Sequence, residues 1–225
     1  MDSSSSTLVQ LPLFPLNTVL FPGGWLPLQI FEVRYLDMVA RCHRRGEPFG
    51  VVALSRGSEV RRPAPDRDGE TAPGDAFFPV GTLARVEELR RPQPGLMIIR
   101  CLGTRRFRVQ RSEQQRYGLW VGDVELLSED TPVAVPPDLD QARVGLQDLA
   151  RNIEHSICAS GETGVDLPLH QPHRWDDCGW LANRWCEMLP LGPDAKQRLM
   201  ALDSPLLRLE LVVDLLGQMG LATPR

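Results

Sequence analysis

Lysine is almost missing from this chain. Of its 25 basic residues, only Lys196 is a lysine. Lys196 stands in Pro193-Asp-Ala-Lys-Gln-Arg198 without a glycine-rich loop, so the sequence has no phosphate-binding P-loop. A serine–lysine hydrolase would have this one lysine to use, and Ser204 nearby lies in no glycine-rich nucleophile turn. The five cysteines, Cys42, Cys101, Cys158, Cys178 and Cys186, include no Cys-x-x-Cys pair. That excludes a disulfide-stapled scaffold and reads as free thiols in a cytoplasmic protein. No apolar run approaches the roughly 18 residues of a membrane span. The start, Met-Asp-Ser-Ser-Ser-Ser-Thr, is not that of a signal peptide. The net charge of −4 gives no global attraction to nucleic acid.

What is present is an ordinary globular mixture, 42% hydrophobic and 24% charged over 225 residues. At roughly 150 residues per domain this is one large domain or two small ones. Such a chain buries about 70% of its unfolded surface and needs no metal to fold. Residues 1–7 read as a disordered polar tail. Leu8 to Phe31 is strand-like and broken by Pro12, Pro15, Pro22 and Pro27, which mark strand ends, edges or bulges, with Gly23-Gly24 as a turn. Phe31, Tyr35, Met38 and Cys42 share a helical face, and Gly46 is a natural stop. Phe49 to Leu54 reads as a buried strand. Residues 55–76 hold almost no large apolar side chain and are expected to be a mobile loop. Val80–Leu89, Leu96–Leu102, Arg105–Arg111 and Tyr117–Leu127 read as strands, separated by turns at Pro92–Gly95 and Gly103-Thr104.

The proline-rich stretch Pro132–Pro137 separates this β domain, residues 8–130, from a helical domain, residues 138–220. Leu139, Ala142, Leu146, Leu149, Ile153 and Ile157 follow helical spacing, with Asp138 as a candidate cap. Asp176 or Asp177 can cap a second helix, Pro193 can open a third, and Ser204-Pro205 opens a fourth. The expected fold class is α+β: a mostly β barrel with one early helix, followed by a C-terminal bundle of about four helices.

Leu11-Pro-Leu-Phe-Pro-Leu-Asn-Thr-Val-Leu-Phe-Pro22, Leu26-Pro-Leu-Gln-Ile-Phe-Glu-Val-Arg-Tyr35 and Phe49-Gly-Val-Val52 resemble the Lon protease N-terminal, substrate-binding domain family. Val80-Gly-Thr-Leu-Ala84 and Gly103-Thr-Arg-Arg-Phe-Arg108 fit its later strands, and Lys196–Asp203 followed by Arg208 resembles its helical tail. Val33 stands where the family pattern has proline. The resemblance implies a PUA-like β pseudo-barrel followed by helices. In full-length Lon proteases this region helps to recognise unfolded or tagged substrates and to organise the hexamer, and ATPase and serine–lysine protease domains follow it. A chain ending at Arg225 has no room for either, so it resembles the stand-alone bacterial members, and no catalytic residue or cofactor is expected.

Phe14, Leu16, Phe21 and Trp25 form a dense apolar stretch where prolines interrupt sheet pairing. An extended polypeptide can add at such an edge, which makes these four residues, with Arg34 at the rim, the expected peptide-binding groove. The competing reading is barrel closure. The partner would be an unfolded or extended polypeptide, with a protease or chaperone as its receiver. The alternative is RNA: nine arginines fall between Arg85 and Arg116, and Arg105, Arg106 and Arg108 flank Phe107 as on nucleic-acid surfaces. Alternating strands turn charges outward in any case, so nucleic acid is the weaker expectation. His155, Cys158, His170, His173 and Cys178 cluster in sequence, but no complete zinc-finger spacing appears and no metal is expected. Trp175, Trp180 and Trp185 are spaced by five, which does not give one helical face.

Overall fold

The computed structural model of the chain describes residues 7–55, 77–160, 169 and 172–221. All but Thr7 of the expected tail at 1–7, and all but Ser55 of the expected loop at 55–76, lie outside the described residues; Thr7 already opens a strand. The order is β1 (Thr7–Leu16), β2 (Trp25–Ile30), α1 (Val33–Arg45), β3 (Phe49–Ala53), β4 (Val80–Gln93), β5 (Leu96–Gln114) and β6 (Trp120–Leu126). A short 3-10 turn at Pro137–Leu139 then leads to α2 (Asp140–Ser160), α3 (Cys178–Met188), α4 (Pro193–Met200) and α5 (Pro205–Gln218). The class is mixed α+β, with a six-stranded sheet and five α-helices among the described residues.

The sheet closes. β1 pairs with β3 in parallel and with β6 antiparallel, while β3–β4, β4–β5 and β5–β6 are antiparallel. These five strands form a ring, and β2 hangs outside it on β5. The period of two in β1 and β3 builds two cores. Leu11 and Leu13 of β1 and Val52 of β3 join Phe107, Val109 and Val124 in one cluster. Phe14, Phe49 and Val51 face the other way and meet Tyr35, Met38, Val39 and Cys42 of α1. β3 is therefore buried on both faces, which its uninterrupted apolar run anticipates.

One sequence expectation fails here. Gly103-Thr104 is not a turn: β5 runs unbroken for 19 residues, its first part pairing with β2 and its last with β6. The glycine serves a close backbone approach. Gly103 N donates to Gly24 O (2.8 Å), Gly23 N donates to Gly103 O (2.7 Å), and a Cβ on Gly103 would lie 2.3 Å from Phe21 O.

The helix signals are mostly realised. α1 ends at Gly46 in the left-handed region (φ 66°), with His43, Arg44 and Arg45 in its last turn. Asp177 caps α3 by accepting from Gly179 N, and Ser204 caps α5 by accepting from Leu207 N. Asp138 is no cap, because it lies inside the 3-10 turn. The chain divides into two compact units. One runs to Glu129 and takes in Gly192–Arg198; the other holds Asp130–Leu191 and the residues from Leu199 on. In the second unit Arg208, 1% exposed, donates to Asp130, Asn183, Leu199 O and Leu202 O. A guanidinium there is tolerated because these acceptors satisfy it.

Candidate functional site

Phe14 and Phe21 do not line a groove. Phe14 lies flat on Tyr35, ring centroids 4.0 Å apart and planes 16° from parallel, and packs near Phe49. Phe21 is fully buried. This corrects the expectation that both face a ligand: the proline-broken run delivers its phenyl rings into the core. Leu16 is half-buried against the same cluster. Trp25 is half-buried, with the Arg100 guanidinium 4.1 Å above its ring. Arg34 donates to Gly118 O (3.0 Å), pairs with Glu32 (2.5 Å) and covers the Tyr35 ring at 4.9 Å. Burial pushes the Tyr35 phenol up, with Arg34 pulling the other way.

The apolar surface lies one step further along. Phe31 and Val33 are each 72% exposed. Phe31 precedes α1 rather than sharing its buried face, which corrects the sequence expectation. The core-facing stripe is Tyr35, Met38, Val39 and Cys42. A second stripe, Val33, Leu36 and Ala40, lies off it. Leu36 and Ala40 wall a cleft of about 500 Å³ whose other side is the β4–β5 hairpin, Arg91 to Met97. Asp37 and Arg91 give the cleft one charge of each sign. Phe31 follows Ile30, which is opposite Met97 in the β2–β5 register, and Val33 is one turn ahead of Leu36. Sequence reasoning missed this patch because one helical period was assigned from Phe31 onward. The available signal was Val33: an apolar side chain in a first turn, three and seven positions before Leu36 and Ala40.

The arginines do not make one face. Arg106 is 3% exposed, which corrects its place on an RNA surface: its guanidinium is closed to a phosphate backbone. Arg105 is half-buried and donates through Nε to Leu127 O (2.6 Å). Arg108 is exposed. Arg85 pairs with Glu87, while Arg90 and Arg100 share Glu88. Elsewhere His173, Trp175 and Trp180 pack on one another with centroids 4.9–5.8 Å apart, and Trp185 is buried and donates to Ala142 O. Among the described residues no three His, Cys, Asp or Glu side chains gather as metal ligands; His170 lies outside them. Cys42, Cys101 and Cys178 are buried, and burial pushes each thiol up, Cys101 to about 12. A protonated thiol is a poor nucleophile.

A ring of strands, a helix laid over it and an open apolar cleft are features of a binding module. The match to known proteins makes that class specific. Residues 10–218 match the model of the ATP-dependent protease La (LON) substrate-binding domain, and the chain belongs to that family. It is 26% identical over 209 residues to a Lon protease of Anaeromyxobacter dehalogenans and 29% identical over 222 residues to one of Paraburkholderia phytofirmans. These alignments take in 92% and 94% of this chain but 23% and 25% of the relatives. The chain thus spans about a quarter of the length of the curated Lon proteases it matches. The crystal structure of a Lon N-terminal domain protein from Xanthomonas campestris superposes with a TM-score of 0.67 at 30% identity, covering 92% of this chain and 98% of that one. The N-terminal domain of the Mycobacterium avium complex Lon protease shares the fold, with a TM-score of 0.57 at 13% identity.

Proposed function

We propose that this chain is a non-catalytic module that binds unfolded or extended polypeptide through the patch formed by Phe31, Val33 and the cleft between α1 and the β4–β5 hairpin. The observation that carries the reading is the exposure of Phe31 and Val33 at the start of the helix whose Leu36 and Ala40 wall an open cleft, in a protein of the Lon substrate-binding family. An exposed phenyl ring at the start of the helix that carries half-buried Leu36 and Ala40 leaves apolar surface that an unfolded chain can cover and a folded one does not match. Delivery of the bound chain to a protease or chaperone fits the family, and the cytoplasm fits five cysteines that form no disulfide. No described helix is long and apolar enough to cross a membrane.

The test is fluorescence anisotropy with labelled, carboxymethylated lactalbumin, a protein that cannot refold. Phe31→Ala should weaken binding by about 1–2 kcal/mol, the worth of a modest interface anchor, with the melting temperature unchanged because the ring buries little on folding. Unaltered affinity in a folded Phe31→Ala, Val33→Ala double variant would sink the reading. The purified chain should also turn over neither ATP nor casein. Turnover abolished by one substitution in this chain would show a catalytic role.

A further inference from the structure

Among the described residues β2 is an edge strand with no further strand on its outer side: it pairs with β5 alone, and the ring of the other five strands closes without it. The direction of its backbone groups follows from its ends. Gly24 O accepts from Gly103 N on β5, so the even positions of the strand turn towards β5 and the odd positions away. Pro27, which has no N–H to give, falls in an outward position, as a proline in a strand should. The outward side therefore presents the Pro27 carbonyl and the N–H and carbonyl of Gln29, and both residues are exposed. The strand leads directly into Phe31. On one face Leu26 and Leu28 pack half-buried against the same core cluster that takes in Tyr35, Met38, Val39 and Cys42 of α1.

We infer that an extended polypeptide segment adds to β2 as a further strand, hydrogen-bonding to Pro27 O and to the backbone of Gln29, with alternate apolar side chains falling on the Leu26 and Leu28 side. This rests on the proposed polypeptide-binding role and names how the chain is held. Backbone groups of this kind are complementary to another extended backbone whatever its sequence, while the apolar face selects segments with alternating hydrophobic residues. Such segments are what unfolding exposes. A second copy of this chain fits less well, because two β2 strands would set Pro27, an acceptor without a donor, in each partner.

The experiment uses a fluorescein-labelled peptide of about eight residues, alternating valine and threonine, long enough to span a six-residue strand. Two further peptides carry N-methyl groups on one or the other alternate set of amides. The alternation fixes the face, and so which set of amides turns towards β2. The intact chain should bind the parent peptide, lose at least about tenfold with one methylated set, and keep its affinity for the other. Gln29→Pro removes an outward N–H but no ladder donor to β5. It should weaken the parent peptide by about tenfold with the melting temperature retained. Equal behaviour of the two methylated peptides, or binding of carboxymethylated lactalbumin without binding of the peptide, would overturn strand addition while leaving the broader role standing. So would a β2-mediated dimer, dispersed by Gln29→Pro, in a chain that takes up no peptide. Binding of neither lactalbumin nor peptide would sink the broader role itself.

Discussion

Phe14 and Phe31 are the same side chain put to opposite uses. Phe14 gives its ring to Tyr35 and Phe49, while Phe31 keeps 72% of its surface in water. The backbone decides: Phe14 lies on the β1 face that meets α1, whereas Phe31 follows the last residue of β2 and precedes the first turn of α1. Cysteine divides in the same way. Cys42, Cys101, Cys178 and Cys186 are buried, and Cys158 on α2 is exposed. Iodoacetamide at pH 8 should therefore label Cys158 first, read by mass spectrometry of the intact protein and its peptides; labelling of Cys101 at a similar rate would contradict its burial. Cys101 also carries a pH signature. Burial, with Glu87 adding, raises its thiol from 9.0 to about 12. The unfolded chain ionises near 9 and the folded one does not. The stabilisation is therefore fully present below pH 9 and lost as pH rises from there towards 12. The melting temperature of Cys101→Ala should fall less steeply than that of the wild type over this range. Parallel curves would show that the thiol is not held neutral by the fold.

At the scale of elements, the sequence patterns that repeat were legible and the exceptions were not. Helix α1, the all-buried β3 and the caps at Asp177 and Ser204 follow from period, apolar run and capping chemistry. Gly103 misled because glycine in an alternating run has two causes, a turn or a close approach, and only the neighbouring segment tells which. Here the neighbour is Phe21–Gly24, joined to Gly103 by two backbone hydrogen bonds. The candidate site was legible as a region but not as residues. Proline interruption located the β1–β2 segment, yet which apolar side chains face outward depends on where β2 hands over to α1, and period alone cannot see that junction. A direct test of the close approach is Gly103→Ala. The added methyl would meet Phe21 O at 2.3 Å and Leu20 at 3.0 Å, so strands must separate. The expected cost is at the upper end of the roughly 1–3 kcal/mol typical of overpacking, measured by urea unfolding. A neutral result would mean that the Phe21–Gly24 segment shifts freely.

For the whole molecule, the division of the chain is not a division of the sequence at one point. The proline-rich stretch marks where strands give way to helices, but Gly192–Arg198 belongs with the strands. Gln197 is one tie between them. It is 4% exposed, and its Nε2 donates to Val80 O at 2.7 Å, at the start of β4. Val80 N–H and C=O stand where β4 begins its pairing with β5, and Val80 itself is 4% exposed, so its carbonyl has little access to water. A buried carbonyl that loses its donor costs about 1–3 kcal/mol. Two measurements follow from that. In the full chain, Gln197→Ala should lower stability by about that amount, somewhat less if water enters the space left by the amide. A fragment ending at Glu129 should unfold at lower urea than the same strands in the full chain, because it lacks the whole Gly192–Arg198 segment as well as this one bond. Adding Gln197→Ala to the full chain should move its midpoint only part of the way towards that of the fragment. If the fragment unfolds at the midpoint of the intact chain, the returning segment contributes nothing to the β unit and the strands are complete without it.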